Sequence, residues 1–244
     1  MLRNLLNSVY GLSLQAKNGE IGSVDDVYFD DNEWKIRYLV TDTSNFLPGR
    51  RVLISPASII KIDLERKVIP VSLSKKEIER SPFVNQGLLP SRETEIELKS
   101  YYNWPVYWGT GYMIGAGDFR LEQGSMRGIN TETEIESDLK SCNNVIGFSI
   151  KSNDNEIGFV HELIFDDETF GIRYLIINTR NRLPGKNKIL LAVDWINNFD
   201  WSKTLFTTSL DKLSIKESPE YNPGKPVKKD YEERLFEYYN KPKY

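Results

Sequence analysis

The amino-acid sequence predicts a mainly β protein made of two small β-barrels in tandem, each followed by short α-helices and related by approximate internal twofold symmetry. Three observations support this: a long internal repeat, short closely spaced stretches of alternating polar and apolar residues, and helix-capping patterns after the last strand of each copy. The chain has 244 residues, more than one ordinary domain requires. We therefore expect two domains.

The repeat is visible when the chain is aligned with itself at an offset of 136 residues, which superposes Glu20-Ile21-Gly22 on Glu156-Ile157-Gly158. At the same offset, Ile36-Arg37-Tyr38-Leu39 matches Ile172-Arg173-Tyr174-Leu175. One extra residue in the second copy changes the offset to 137, and the tails then also match. So long an ordered series of matches indicates that one module is encoded twice.

The repeat divides the chain into four predicted segments. Residues 1–80 form the first barrel, and residues 81–144 hold its helical and aromatic tail together with a connector. Residues 145–217 form the second barrel, and residues 218–244 its C-terminal helix and aromatic tail. The connector is assigned from its glycines, which favour irregular backbone: Gly109, Gly111, Gly115, Gly117, Gly124 and Gly128.

The strands of the first copy follow from turn residues and alternation. Asn18-Gly19 predicts a hairpin turn, and the next strand should run from Val24 to Phe29 before an acidic turn. A third strand alternates from Trp34 to Thr41, and Leu47-Pro48-Gly49 interrupts the ladder. Further short strands are expected in three places: Val52–Ile54, Ile59–Ile62 and Val68–Val71.

Helices are predicted after the strands of each copy. Ser74 and Glu77 have the spacing of a capping box, Asp211 takes the cap position in the second copy, and Pro82 should end the first of these helices. The tail segments place apolar residues on one side of a longer helix, which therefore needs an apolar surface to cover. These residues are Thr94, Leu98, Tyr101 and Tyr102, and Tyr231, Leu235, Tyr238 and Tyr239.

These motifs resemble those of the PRC-barrel family. Both copies contain Gly-hydrophobic-Ser, Glu-Ile-Gly-x-Val, an acidic turn, Ile-Arg-Tyr-Leu and Leu-Pro-Gly, in this order. The family includes the cytoplasmic domain of the photosynthetic reaction-centre H subunit and the C-terminal domain of the ribosome-maturation factor. The resemblance implies a small β-barrel that contacts other proteins and has no catalytic residues of its own. The chain lacks the features that would assign it the specific role of either relative.

Composition bounds the possible partners and location. Lys and Arg number 32 against 35 Asp and Glu, so no global positive field attracts a polyanion, and nucleic-acid binding is disfavoured. Cys142 is the one cysteine, which excludes an internal disulfide and suits a reducing compartment. No stretch has the apolar length of a signal peptide core or a membrane span. We expect a cytoplasmic protein.

No catalytic, cofactor or metal site is predicted. His161 aligns with Asp25 in the first copy and has no converging ligands, so we interpret it as a polar strand residue. The paired aspartates are typical of turns, and the glycines from Gly109 to Gly117 lack the Lys-Ser/Thr ending of a phosphate-binding loop. Arg37 is interpreted as the partner of an acid on the barrel face.

Aromatic tails and basic loops remain as candidate binding surfaces. The tail aromatics either pack across the two units or form an exposed docking surface, and we favour packing. They are Tyr101, Tyr102, Trp104, Tyr107, Trp108, Tyr238 and Tyr239. The basic residues after each Leu-Pro-Gly could contact RNA. They are Arg50, Arg51, Lys186 and Lys188.

The function predicted from these features is that of a non-enzymatic adaptor or scaffold with an unknown protein partner and possible self-association. An RNA- or ribosome-associated factor using the basic loops is the first alternative. A small-ligand or enzymatic site between the barrels is the second alternative.

Overall fold

A computed structural model describes residues 1–44, 46–85, 88–108, 138–152, 155–179, 188–219, 221–222 and 225–242. Its first half contains strand β1 (Leu2–Asn4), helix α1 (Leu5–Ser8) and four strands that precede a 3-10 turn at Pro56–Ser58. These strands are β2 (Ser13–Ala16), β3 (Gly19–Asp30), β4 (Lys35–Asp42) and β5 (Arg51–Ile54). Strand β6 (Val68–Pro70) and helices α2 (Lys75–Glu79) and α3 (Arg92–Tyr102) complete this half.

The second half repeats this order of elements. It begins with β7 (Leu139–Ser141) and α4 (Cys142–Val145), which lie in the last part of the segment predicted as connector. The strands that follow are β8 (Ser149–Ser152), β9 (Asn155–Asp166), β10 (Ile172–Asn178), β11 (Lys188–Ala192), β12 (Ile196–Asp200) and β13 (Leu205–Thr208). A 3-10 turn at Val193–Trp195 separates β11 from β12, and helices α5 (Lys212–Glu217) and α6 (Lys229–Tyr238) close the half.

Each half is organised around one sheet. The strand order is β5-β4-β3-β2-β6 in the first sheet and β11-β10-β9-β8-β13-β12 in the second. Strands β2 and β6 are parallel, as are β8 and β13, whereas the other pairs are antiparallel. No pairing among the described residues joins the two ends of either path, so strand pairing alone does not form the predicted closed barrels.

The Glu-Ile-Gly motif has a steric cause in both sheets. A Cβ atom on Gly22 would lie 1.9 Å from the backbone oxygen of Asp42, and one on Gly158 would lie 2.2 Å from that of Asn178. Only glycine allows the long strand to approach its neighbour so closely. The strand pairing shifts register just after Gly22 and Gly158, which bends β3 and β9.

The two halves exchange short strands. Strand β1 of the first half pairs with the end of β9, and β7 of the second half pairs with the end of β3. Leu2 lies opposite Asp166 and Leu139 opposite Asp30, so the exchanged strands occupy equivalent registers. Each sheet is therefore completed by a strand from the other half of the chain.

The hairpin tips make a second reciprocal contact. The amide of Ile36 donates to the backbone oxygen of Phe170 at 2.8 Å, and the amide of Ile172 donates to that of Trp34 at 2.6 Å. Ile36 and Ile172 are both fully buried. The equivalent isoleucines therefore have like environments.

Several local predictions are confirmed. The Ser74 hydroxyl accepts from the Glu77 amide and the Glu77 carboxylate accepts from the Ser74 amide, which is the predicted capping box at α2. Asp211 caps α5 through the amides of Leu213 and Ser214. The turn before β3 contains Asn18, as predicted.

Two strand predictions are wrong in detail. No strand forms at Ile59–Ile62, where single bridges such as Ile59 to Val71 replace a ladder, although β12 occupies the equivalent place in the second half. Trp34 lies in the turn before β4, with a φ of 52°, rather than in the strand. Its indole is directed by the turn toward the other half of the chain, as described below.

Candidate interaction surfaces

The first aromatic tail packs against its own half. Trp104 is buried, its indole Nε1 donates to the Ser58 hydroxyl at 2.7 Å, and its ring lies 6.2 Å from that of Tyr38. Tyr102 stacks on Trp104 with ring centroids 4.3 Å apart. The predicted partner residue Trp104 is thus part of the core.

The second tail fills the same place with a different tryptophan. Trp195, which lies in the 3-10 turn of the sheet and aligns with Ser58, packs 4.8 Å from Tyr239 and 5.1 Å from Phe236. The equivalent tyrosines Tyr102 and Tyr239 therefore each pack against a tryptophan. This tryptophan comes from the tail in the first half and from the 3-10 turn of the sheet in the second. Tyr244, at the end of this tail, lies outside the described residues.

Hydrogen bonds fix both tails in the same way. The Tyr101 hydroxyl donates to the backbone oxygen of Glu77 at 2.8 Å, and the Tyr238 hydroxyl donates to that of Ser214 at 2.9 Å. Both of these tyrosines are about two-fifths exposed, at 42% and 40%. They are the tail aromatics that a partner could reach most easily.

A buried charge cluster lies beneath the first tail. The Glu95 carboxylate is fully buried and accepts from the hydroxyls of Tyr38 at 3.1 Å and Tyr107 at 2.5 Å, and from Arg92 Nη1 at 3.0 Å. Lys99 Nζ donates to the backbone oxygen of Pro105 at 2.6 Å. Because charges are expensive to bury unpaired, these contacts hold α3 and the tail in one arrangement.

The cluster perturbs the ionisation of its members. Burial lowers the pKa of Lys99 to about 8, with the charges of Arg37 and Arg92 acting in the same direction and Glu95 opposing them. Burial and the Glu95 carboxylate raise the pKa of Tyr107. Lys99 also lies 4.6 Å from the centre of the Tyr107 ring, a cation–π distance.

Arg37 joins this cluster to the sheet. Its Nε donates to Asp30 at 2.5 Å and its Nη2 to Glu33 at 2.7 Å, which confirms the predicted pairing with an acid. The guanidinium also lies 4.0 Å from the centre of the Tyr107 ring. Arg37 and Tyr107 therefore have structural partners within the first half.

The aromatic contacts between the two halves are made, among the described residues, by side chains outside the tails. Trp34 lies 4.8 Å from Phe199 and 6.1 Å from Phe206, both in the second half. The equivalent tip residue of the second half, Phe170, has Phe165 as a ring neighbour at 6.2 Å. The predicted packing of tails across the units is thus replaced by packing of a hairpin tip.

A buried acid in each half binds the end of the exchanged strand or the helix that follows it. Asp26 Oδ2 accepts from the Ser141 hydroxyl at 2.6 Å, and Glu162 Oε1 accepts from the Leu6 amide at 3.1 Å. Burial raises the pKa of Glu162. These two acids align in the repeat, so the strand exchange is fixed at the same point of each sheet.

The basic-loop residues of the first half have intramolecular partners. Arg50 donates to the backbone oxygens of Glu79 at 2.8 Å and Ser81 at 2.5 Å, so it holds the end of α2. Arg51 forms an ion pair with Asp25 at 2.7 Å. Neither side chain is arranged as a free phosphate contact.

The second basic loop lies only partly within the described residues. Lys186 and Leu183-Pro184-Gly185 lie outside them. Lys188 begins β11 and is half-buried. Burial and the charge of Lys188 lower the pKa of His161, which lies in β9 as the predicted polar strand residue.

Exposed apolar residues concentrate in residues 83–106 of the first half. Six of the eleven large exposed apolar side chains among the described residues lie there: Phe83, Leu88, Leu89, Ile96, Tyr101 and Val106. We call this set the apolar face. Phe83 and Leu88 are 58% and 65% exposed. This face was not predicted, although the mismatch of Leu88-Leu89 with Lys225-Pro226 in the repeat was a signal.

A cleft occupies the equivalent region of the second half. It has a volume of about 310 Å³, an apolar floor that includes Tyr221, Val227 and Tyr231, and the cations Lys225 and Lys228 at its rim. Both lysines are exposed. We call it the basic cleft.

The described residues contain no group of three or more His, Cys, Asp and Glu side chains that could hold a metal ion. Cys142 is buried, and burial together with Asp26 raises the pKa of its thiol. The glycine-containing stretch 109–117 lies outside the described residues. Among the helices that the structure describes, none is long and apolar enough to cross a membrane.

Comparison with known proteins identifies part of the first half. Residues 3–78 match the model of the PRC-barrel domain, a range that begins in β1 and extends into α2. No curated protein matches the chain. The apolar face and the basic cleft both lie outside the matched range.

Proposed function

We propose that the protein is a non-enzymatic adaptor that binds another protein through the apolar face. The concentration of six large exposed apolar side chains in residues 83–106 carries this proposal. Large apolar side chains exposed within one short segment are candidates for a protein-binding site, because their burial by a partner is favourable. A cytoplasmic location remains a prediction from the sequence.

We further propose that the second half is a second module of the PRC-barrel type, related to the first by an approximate twofold axis. The reciprocal pairing of β1 with β9 and of β7 with β3 supports this. So do the equivalent hydrogen bonds from Tyr38 to Glu95 at 3.1 Å and from Tyr174 to Glu232 at 2.6 Å.

Quantitative co-purification tests the adaptor proposal. The full-length protein should retain specific proteins from its native cell extract, and Phe83→Ser with Leu88→Ser should reduce their recovery about tenfold or more. Both side chains are exposed, so folding should be unchanged. Leu213→Ser, at a side chain that is 69% exposed in the second half, is the matched control. Equal recovery by all three proteins would refute the proposal.

A further inference from the structure

The apolar face and the basic cleft lie at equivalent positions of the two halves but have opposite character. Leu88 and Leu89 align with Lys225 and Pro226 at an offset of 137 residues. Both leucines are exposed directly before α3, whereas the lysine lines the basic cleft directly before α6. Two exposed leucines in one half thus correspond to a lysine and a proline that line a cleft in the other.

We propose that the basic cleft of one molecule binds the apolar face of a second copy of this chain. The proposal deepens the adaptor proposal, since it names the partner of the same face. The contact is head-to-tail: the face of the first half meets the cleft of the second half. Such a heterologous contact leaves one free face and one free cleft at the ends, so it extends into chains unless it closes into a ring.

Charge complementarity favours this partner. Glu93 and Glu97 are exposed on α3 beside Ile96, so acids flank the apolar face. Lys225, Lys228 and Arg234 line the cleft with Asp230 as the acid among them, so its rim is positive. Opposite charges around an apolar contact orient the partners and speed their association.

The N-terminus of α6 adds to the charge complementarity. Its N-cap residue is Lys228, which makes no side-chain capping hydrogen bond, whereas the Ser91 hydroxyl caps α3. A helix N-terminus carries partial positive charge, and Lys228 adds to it, while Asp230 and Glu232 in the first turn offset part of it. Carboxylates such as Glu93 and Glu97 of a second copy would be favourable at this end.

The cleft also has space for the contact. Its volume of about 310 Å³ has room for one or two large apolar side chains, and its floor includes the half-buried rings and side chains of Tyr231 and Val227. Leucine side chains buried there would lose their contact with water. The acids around them would remain at the positive rim.

Sedimentation velocity of the full chain at increasing concentration tests the proposal. The average mass should rise at least about twofold above the 28.3 kDa of one chain, and added salt should reverse the rise. Two double variants should each stay monomeric: Leu88→Ser with Leu89→Ser removes the apolar contact, and Lys225→Glu with Lys228→Glu reverses the rim. Circular dichroism and unfolding midpoints confirm that both variants are folded.

Mixing the two double variants is the decisive experiment. The leucine variant keeps a working cleft and the lysine variant keeps a working face, so an equimolar mixture should form a discrete dimer that does not grow further. A monomeric wild-type protein at several hundred micromolar, or a mixture that stays monomeric, would overturn the proposal.

The outcome is distinguishable from failure of the adaptor proposal. If a different protein occupies the face, its co-purification depends on Phe83 and Leu88, and Lys225→Glu with Lys228→Glu leaves its recovery unchanged. In that case the wild-type protein also stays monomeric. That result refutes self-association and keeps the adaptor. Self-association without retained foreign proteins supports the second copy as the partner.

Discussion

The helix-and-tail layers of the two halves occupy equivalent places but have different chemistry. Both helices bury an equivalent leucine, Leu98 in α3 and Leu235 in α6. Helix α3 also buries Arg92, Glu95 and Lys99, whereas α6 also buries Phe236. Lys99 and Phe236 align in the repeat, so a buried cation in one half corresponds to a buried ring in the other. The tyrosine-to-glutamate hydrogen bond is present in both.

Two kinds of contact hold each tail. Hydrogen bonds dock it on its own half, and ring packing fills the space around it. The docking contacts recur, while the space is filled by Trp104 in one half and Trp195 in the other. A buried charge cluster is usually no more stabilising than an apolar cluster of similar volume. Removing one of its members is strongly destabilising, however, because a buried charge is left unpaired. The first half should therefore tolerate substitution less well than the second.

The largest expected difference concerns the hairpin tips. Trp34→Ala should lower the free energy of unfolding by about 4 kcal/mol, because a buried indole leaves a cavity between the halves. Phe170→Ala should cost about 2 kcal/mol, because Phe170 is only half-buried. Both residues have positive φ, at 52° and 58°, so the backbone strain is matched. Equilibrium urea unfolding measures both, and equal losses would show that the tips are equivalent.

The glutamates that accept from the two equivalent tyrosines should show the next largest difference in stability. Glu95→Gln removes the buried carboxylate that faces Arg92 and Lys99, so that Arg92 keeps only its pair with the half-exposed Asp138, and should cost about 3 kcal/mol. Glu232→Gln weakens a hydrogen bond from Tyr174 and should cost about 1 kcal/mol. Thermal and urea unfolding of the two variants, measured in the same buffer, give the comparison. A larger loss for Glu232→Gln would contradict the proposed fragility of the first half.

The two arginines after Leu47-Pro48-Gly49 should differ within one half. Arg50→Ala removes donors to the end of α2 and should cost about 2 kcal/mol. Arg51→Ala breaks a partly exposed pair with Asp25 and should cost less than about 1 kcal/mol. Urea unfolding measures both losses. Retention of wild-type protein on RNA at low salt, weakened by both changes, would instead favour the RNA-contact interpretation of this loop.

Local sequence signals predicted the parts of the fold that depend on neighbouring residues. The capping box of Ser74 and Glu77 and the cap at Asp211 were predicted because each needs only residues within three positions. The pairing of Arg37 with an acid was predicted without its partner, which the structure shows to be Asp30, seven positions earlier. Alternation located β4, apart from its start.

The strand exchange and the surfaces could not be predicted in the same way. Strands β1 and β7 have three residues each, too few to show a period, and their partners lie in the other half. The carbonyl partners of Arg50 lie about 30 positions away, so nothing near Arg50 indicates them. The aromatic tails gave a true signal for packing surfaces, but sequence alone does not show against which half a ring packs.

The smallest expected difference is a pH dependence that belongs to the first half. Because the pKa of Lys99 is about 8 in the folded protein and 10.5 is its ordinary value, the unfolded chain binds more protons between these values. Lys99 should therefore contribute a rise in the free energy of unfolding as the pH increases above about 8, of at most about 1.4 kcal/mol per pH unit, against the opposite contribution of the buried Cys142 thiol, whose pKa is raised. Lys99→Met should flatten this rise.

The measurement is urea unfolding at several values between pH 7 and pH 9.5, below the range in which tyrosines of ordinary pKa ionise. The groups that face Lys99 are Glu95, Arg37, Arg92, Tyr38 and Tyr107. Burial raises the pKa of Tyr38 and Tyr107, so neither hydroxyl ionises in this window. Phe236→Met, at the aligned position of the second half, should leave the rise intact. A rise that persists in Lys99→Met would assign it to another group and would remove the buried cation as the source of the difference between the halves.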